Sequence, residues 1–138
     1  MSRYWRLLFG DPVDCGYPFT GGVYPVGKTG TGKKQNLHMV QLGTMSRGDA
    51  ALIYCTSSYA GYRQAVVGVG EIESVVNVGP NEWHINYSLR RLKYEVPWTQ
   101  MLTKLATASD AVKLRQGKYQ WILEVDSITF HNVVSAGG

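Results

Sequence analysis

Residues 50–55 read AALIYC, a run of six apolar residues without a charge. A short apolar run that turn residues enclose is typical of a strand buried on both faces. After a polar loop over 56–63, residues 65–75 read AVVGVGEIESV and are rich in β-branched side chains. Gly68 and Gly70 within that run indicate close approach of another backbone or of a ligand. The two runs predict paired strands at the centre of a small β fold, and the loop is a natural binding lip.

Length and composition define the class of protein. The chain has 138 residues, of which 44% are hydrophobic and 17% charged. These values predict one globular domain over 1–138 and exclude a disordered chain. The apolar runs are far shorter than the roughly 20 residues of a membrane span, and no signal peptide is visible, so we expect a cytoplasmic protein. Cys55 is expected in the core, and nothing supports a disulfide with Cys15.

The remaining elements follow from periodicity. Residues 4–9 predict a first strand, and residues 13–35, rich in glycine, predict a long loop. Residues 82–96 alternate with period two, and the phase slips at Arg90-Arg91, which indicates a β-bulge. Capping, spacing and composition predict short helices at 37–42, 98–106 and 109–115. They also predict one or two strands over 119–130 and a frayed tail at 135–138. The pattern predicts an α+β fold, a small curved or closed β-barrel of about five or six strands with two or three short helices.

A basic, glycine-rich segment at 27–34 reads GKTGTGKK and comes close to a phosphate-binding P-loop. A P-loop needs Ser or Thr after its Gly-Lys pair, because that hydroxyl holds magnesium, and this chain has Lys34 there. Nucleotide hydrolysis is therefore not expected. The segment fits a surface loop, which is either inert or touches a nucleic-acid backbone through Lys28, Lys33 and Lys34. Arg90, Arg91 and Lys93 form a second basic cluster in a chain of net charge +4 and pI near 9.1.

Motifs for catalysis or metal binding are not evident in the sequence. The three histidines are far apart, no cysteine accompanies them at a metal-ligand spacing, and no nucleophile motif is present. We therefore expect neither a metal nor another cofactor. Aromatic residues in glycine-rich segments are more informative, because tyrosine rings can stack on nucleic-acid bases. Tyr24, Tyr59 and Tyr62 are of this kind.

Five short motifs occur in an order similar to that of a known family. They are YWRLLFGDP at 4–12, GVY at 22–24, MSRGD at 45–49, VVGVGEI at 66–72 and LRQG at 114–117. In this order they resemble EVE domains of the PUA-like superfamily, which also contains YTH and ASCH domains. The resemblance covers most of the chain.

The resemblance implies a PUA-like β-barrel that binds nucleic acid and encloses a modified, most often methylated, base in an aromatic cage. Tyr24 is the first candidate for a cage wall, the loop at 57–62 supplies another, and Asp11 would bond a base edge. The implied ligand-binding residues are Asp11, Tyr24, Ser57, Ser58, Tyr59 and Tyr62. The implied partner is DNA or RNA with a modified base, with no membrane involved and a nuclease or other effector as a further partner.

The ASCH branch implies an enzyme as the alternative. Some of its members resemble amidohydrolases that remove an acyl group from a modified cytidine with Lys, Thr and Glu. Lys28, Thr31 and Glu71 are the corresponding residues here, with lysine activating the threonine hydroxyl. Thr31 lies between two glycines, a poor support for precise geometry. The sequence therefore favours a non-enzymatic reader module.

Overall fold

The first apolar run of the sequence is a strand near the middle of a sheet. The computed structural model describes residues 2–9, 22–26, 43–55, 65–79, 82–97 and 122–138. Within Ala50–Cys55 every residue after the first is buried. Tyr4–Phe9 pairs with it in parallel on one side, and Ala65–Gly79 pairs antiparallel on the other. The predicted pair of buried central strands is confirmed.

The described residues form one six-stranded sheet and one helix. The elements are β1 (Tyr4–Phe9), β2 (Gly22–Val26), β3 (Ala50–Cys55), β4 (Ala65–Gly79), β5 (Glu82–Pro97), β6 (Ile122–Val125) and α1 (Ser127–Ala136). The strand order is β2-β5-β4-β3-β1-β6, and every pair except β1–β3 is antiparallel. The α+β class and the strand number agree with prediction. The predicted helices at 37–42, 98–106 and 109–115 lie outside the described residues.

The central strands are buried on both faces because neighbouring residues of each strand belong to two different hydrophobic clusters. Leu7 of β1 and Ile53 of β3 belong to one cluster, together with Ile85 of β5. The next residues along, Leu8 and Leu52, belong to the second cluster, in which Phe130 and Val133 of α1 cover the sheet. Since successive side chains of a strand point to opposite faces, the apolar run of β3 and the apolar residues on either side of Arg6 in β1 contribute to both clusters at once.

The sheet curls until its edge strand β2 meets β1. The hydroxyl of Tyr24 in β2 donates a hydrogen bond to the carbonyl oxygen of Leu8 at 2.8 Å. Its ring lies edge-on to Phe9 with 5.0 Å between centroids. In the sheet order, β5, β4 and β3 separate these two strands, so contact requires strong curvature. The curved sheet is as predicted, but the prediction of one long loop over 13–35 is wrong at Gly22–Val26, which pairs with β5.

The glycines of β4 allow close approach, as the sequence predicts. A Cβ atom placed on Gly68 would lie 3.0 Å from the carbonyl oxygen of Arg90, and one placed on Gly70 would lie 3.1 Å from the ring of Tyr87. Backbone in one case and an aromatic ring in the other therefore occupy the space of a side chain. This packing explains why glycines interrupt a β-branched run.

The register slip predicted in β5 is also confirmed. Ile85 and Tyr87 are buried while Ser88 and Arg90 are exposed, as the period-two pattern requires. The β4–β5 ladder then shifts between the pairs Gly68–Arg91 and Val66–Val96. Beyond the slip the buried residues of β5, Leu92 and Val96, belong to the cluster that α1 covers. The apolar side of the strand changes because a different layer packs on it.

The C-terminal part corrects the sequence interpretation. A strand ends at Val125, and the segment predicted as strand up to residue 130 enters helix α1 at Ser127. Asp126 caps the helix by accepting a hydrogen bond from the backbone of Thr129. The predicted fraying at 135–138 is wrong too, because the carbonyl of Gly137 accepts a hydrogen bond from the backbone N–H of Tyr94 at 3.0 Å. The helix end is thereby attached to β5.

The cap makes the stability of the helix dependent on pH. The hydrogen bond from the Thr129 backbone lowers the pKa of Asp126 below its ordinary 3.8. A carboxyl whose pKa is depressed on folding stabilises the protein above its unfolded pKa and loses that contribution as pH falls through the folded value. We expect Asp126→Ala to lower the free energy of unfolding by about 1 kcal/mol near neutral pH.

Asp126→Asn is the matched control, since Asn caps helices well but does not titrate. Urea denaturation followed by circular dichroism at pH 7 and pH 3 measures the difference between wild type and this variant. The wild-type advantage should shrink as pH falls. An advantage that stays constant between the two pH values would contradict the role of the charged cap.

Within the described part of the chain, no helix has the length and apolar character needed to cross a membrane.

Candidate nucleic-acid interface

The turn before β3 connects the start of that strand to β1. Asp49 is buried and accepts three hydrogen bonds, from the backbone N–H of Arg3 and of Ser46 and from the indole Nε1 of Trp5, at 2.9–3.0 Å. Gly48 supplies the left-handed backbone angle of the turn, with φ of 90°. The carboxylate therefore ties the start of β1 to the start of β3. The sequence predicts only a turn here, because two of the three donors to Asp49, Arg3 and Trp5, are 46 and 44 residues away along the chain.

Tyr24, the predicted cage wall, is placed on β2 with its side chain in the core. Only 1% of its surface is exposed, and both its ring and its hydroxyl contact β1. Tyr24 is thus a packing residue in this conformation, and a role in a base pocket requires that its ring become accessible when the base enters.

A buried arginine lies among the tyrosines. Arg6, in the middle of β1, is fully buried. Loss of hydration lowers the pKa of its guanidinium to about 10, and Tyr24 and Tyr54 partly offset this effect. The side chain is still charged at neutral pH, so a positive charge lies inside the fold close to Tyr24. The sequence analysis missed it, although an arginine within an otherwise apolar strand that is buried on both faces was the available signal.

Two other groups with possible chemistry are on the same sheet. Glu71 is exposed on β4, opposite Ala50 on one side and Ser88 on the other. Cys55 is a buried free thiol, as expected for a core residue, and burial raises its pKa to about 12. This thiol is therefore protonated at neutral pH and is a poor nucleophile.

Basic residues gather on the second half of β5. Arg90, Arg91 and Lys93 are all exposed. Tyr94 follows them with 60% of its surface exposed, and the Nζ atom of Lys93 lies 5.3 Å from the centre of its ring. The sequence predicted this basic cluster, but its period-two alternation places Tyr94 on the apolar side with Leu92 and Val96, and that placement is wrong. The signal that could have found the exposed ring is a tyrosine between two charged residues next to a register slip.

The other predicted site residues lie outside the described residues. They are Asp11, Lys28, Thr31, Lys33, Lys34, Ser57, Ser58, Tyr59 and Tyr62. Of the predicted residues that the structure does describe, Arg90 and Arg91 are neighbours on β5, while Tyr24 is on β2 and Glu71 is on β4. Among the His, Cys, Asp and Glu side chains that it describes, no group of three is arranged to hold a metal ion.

Comparison with known proteins rests on structure. No protein-family model and no curated protein matches the chain. Solved structures do. Rpa0253 from Rhodopseudomonas palustris is 17% identical with a TM-score of 0.67, and the alignment covers 99% of this chain and 93% of that one. The DUF55 domain of human thymocyte nuclear protein 1 is 13% identical with a TM-score of 0.61, covering 97% and 98%.

A third solved structure is a complex with RNA. The YTH domain of Zygosaccharomyces rouxii MRB1 protein, solved in complex with N6-methyladenosine RNA, is 12% identical with a TM-score of 0.59 and coverage of 99% and 86%. An ASCH domain from Zymomonas mobilis shares the fold as well. The fold of this chain is therefore shared with YTH, ASCH and DUF55 domains. Among the predicted site residues that the structure describes, Tyr24 is buried on β2, whereas Arg90 and Arg91 are exposed on β5.

Proposed function

We propose that this PUA-like domain is a non-enzymatic reader that binds DNA or RNA at a modified, flipped-out or unpaired base. The observation that carries the proposal is the fold shared with a YTH domain whose structure holds N6-methyladenosine RNA. The exposed arginines of β5 and the net charge of +4 also support it, because cations on a surface attract the phosphate backbone.

The proposal divides the work between two sets of residues. One set contacts phosphates and positions the nucleic-acid strand, and it consists of Lys28, Lys33, Lys34, Arg90 and Arg91. These contacts do not distinguish one base sequence from another. The base pocket, built from Asp11, Tyr24 and the loop at 57–62, discriminates among bases. A methylated base is the proposed ligand, since flipped bases are held by stacking between aromatic side chains and by hydrogen bonds to the base edge.

The test is fluorescence anisotropy with a panel of labelled oligonucleotides. The panel contains DNA and RNA, single- and double-stranded, with and without methylated bases, at two salt concentrations. We expect a preference for one modification that persists at both salts while all affinities fall with salt. Weak binding that is uniform across the panel and vanishes with salt would leave only a basic surface, and an absence of binding would end the proposal.

Charge variants show whether the arginines touch phosphates. We expect the double variant Arg90→Gln/Arg91→Gln to lower the affinity for all oligonucleotides by the same factor, without changing the preference for the modified base. Each lost phosphate contact lowers the slope of log affinity against log salt by about 0.7 for a single strand. An unchanged slope would show that the arginines do not contact phosphates.

The alternative is an amidohydrolase that acts on an acylated cytidine, with Lys28, Thr31 and Glu71 as its catalytic residues. The ASCH domain among the matching structures favours this second candidate. Incubation with an N-acylated cytidine and detection of released cytidine tests it, and Glu71→Gln is the variant that should abolish turnover.

The proposed setting of the reader is cytoplasmic, beside a nuclease or another effector.

A further inference from the structure

We propose that Tyr94 is a stacking platform for an unpaired base, at a second nucleic-acid contact on β5. The inference rests on the proposed function and deepens it, because it adds a site that acts on any single strand. Tyr94 is the most exposed aromatic side chain among the described residues, with 60% of its surface accessible. Tyr54 and Tyr87 of the same sheet are buried, with 1% and 2% exposure.

The register slip and the helix end hold Tyr94 outward. Between the ladder pairs Gly68–Arg91 and Val66–Val96, β4 has one intervening residue and β5 has four. Extra residues on one strand form a bulge, and bulges redirect side chains at sheet rims and near functional sites. The backbone N–H of Tyr94 is bonded to the carbonyl of Gly137 at 3.0 Å. The ring therefore projects from a fixed backbone, which lowers the entropy cost of binding.

The charged residues around Tyr94 favour a polyanion rather than a protein as its partner. The exposed residues of this segment are Arg90, Arg91, Lys93 and Glu95 in addition to the tyrosine, so three positive charges against one negative leave a local net charge of +2. Large apolar neighbours, which the centre of a protein interface needs, are not among the exposed residues of 90–95. An aromatic ring among cations is the arrangement that binds single-stranded nucleic acid.

The lysine next to Tyr94 strengthens the assignment. Its Nζ atom lies 5.3 Å from the ring centre, within the distance of a cation–π contact. This contact holds a positive charge close to the ring, where it can attract the phosphate backbone of a strand whose base stacks on the other face of the ring. Ring and charge can therefore bind one nucleotide together.

The platform is separate from the pocket proposed around Tyr24. Tyr24 is paired with Ile85, and Tyr94 lies nine residues further along the same strand. At 3.3 Å per residue the distance along β5 is at most about 30 Å. A single strand of several nucleotides is needed to reach both sites, so the affinity should depend on oligonucleotide length.

Binding to two single-stranded probes tests the inference, one unmodified and one with the preferred methylated base. We expect Tyr94→Ala to weaken both by roughly 5- to 150-fold, the range for loss of one base–aromatic stack, and to leave their ratio unchanged. Tyr94→Phe, which keeps the ring, should retain most of the affinity. A blunt duplex of the same sequence should be unaffected, because its bases are not available for stacking.

Ile128→Ala is the matched control, because Ile128 is exposed to 69% on α1 and no nucleic-acid contact is assigned to it. If wild type binds the probes and Tyr94→Ala binds them equally well, the platform is overturned while the reader proposal stands. If Tyr94→Ala weakens only the methylated probe, Tyr94 belongs to the base pocket and the second site is wrong. If wild type binds neither probe, both proposals fail.

Discussion

Replacing Asp49 with alanine is expected to lower the free energy of unfolding by about 3–5 kcal/mol, a large part of the stability of a small domain. The carboxylate accepts hydrogen bonds from Arg3, Ser46 and Trp5, and it is only 2% exposed. Its removal leaves several donors without an acceptor in a place that water reaches poorly, and each hydrogen bond to a charged group contributes about 1.5–3 kcal/mol. Urea denaturation followed by tryptophan fluorescence and circular dichroism measures the loss.

Two variants separate the turn from general effects of charge. Trp5→Phe removes one donor and keeps most of the buried ring, so its cost should be clearly smaller, about 1–2 kcal/mol. Glu71→Ala removes an exposed carboxylate from the same sheet and should change stability by no more than about 0.5 kcal/mol. A loss below 1 kcal/mol for Asp49→Ala would show that the three hydrogen bonds do not organise the fold.

The central strands were predictable because their chemistry is local. The uncharged apolar run of β3 indicates burial on two faces, and the glycines of β4 indicate close approach of another chain segment. Neither signal requires knowledge of which strands pair with β3 and β4. The slip at Arg90-Arg91 was visible because apolar and polar residues alternate in the sequence on both sides of it, although Tyr94 beyond the slip is exposed. In each case the signal is a periodicity that the sequence contains in full.

The errors share a different physical origin. Residues Ile128, Thr129 and Val133 are β-branched and favour a strand, but the cap at Asp126 and the packing of Phe130 on the sheet make the segment helical. Tertiary contact overrides local preference there. The spacing of Phe130 and Val133 was the helical signal that the interpretation of the segment as strand did not use.

The site was harder to predict than the fold. Tyr24 was expected in a glycine-rich loop, whereas β2 pairs with β5, which lies about sixty residues away in sequence. The burial of Arg6 had a local signal, but the sequence does not show that Tyr24 and Tyr54 lie close to its guanidinium. Non-local strand pairing decides which aromatic residues are buried, and a single sequence does not contain it.

Tyr24→Ala is the second variant with a large expected effect, about 3–5 kcal/mol of lost stability. The side chain is buried, packs on Phe9 and bonds the carbonyl of Leu8, so it joins the edge strand β2 to β1 across the curl. Tyr24→Phe keeps the ring contact and loses the hydrogen bond, and it should cost only about 1 kcal/mol. Urea denaturation gives both values, and hydrogen exchange should show faster opening of β2 in Tyr24→Ala.

The role of Tyr24 in base recognition needs a variant that stays folded. Tyr24→Leu keeps an apolar side chain in the core but removes the aromatic face, which a base needs for stacking. If Tyr24 is a cage wall, this variant loses the preference for the methylated base while Tyr24→Phe keeps it, and both still bind unmodified single strands through β5. If Tyr24→Leu keeps the full preference, Tyr24 is a core residue alone. The aromatic wall would then have to come from the loop at 57–62, where Tyr59→Ala and Tyr62→Ala are the variants to measure.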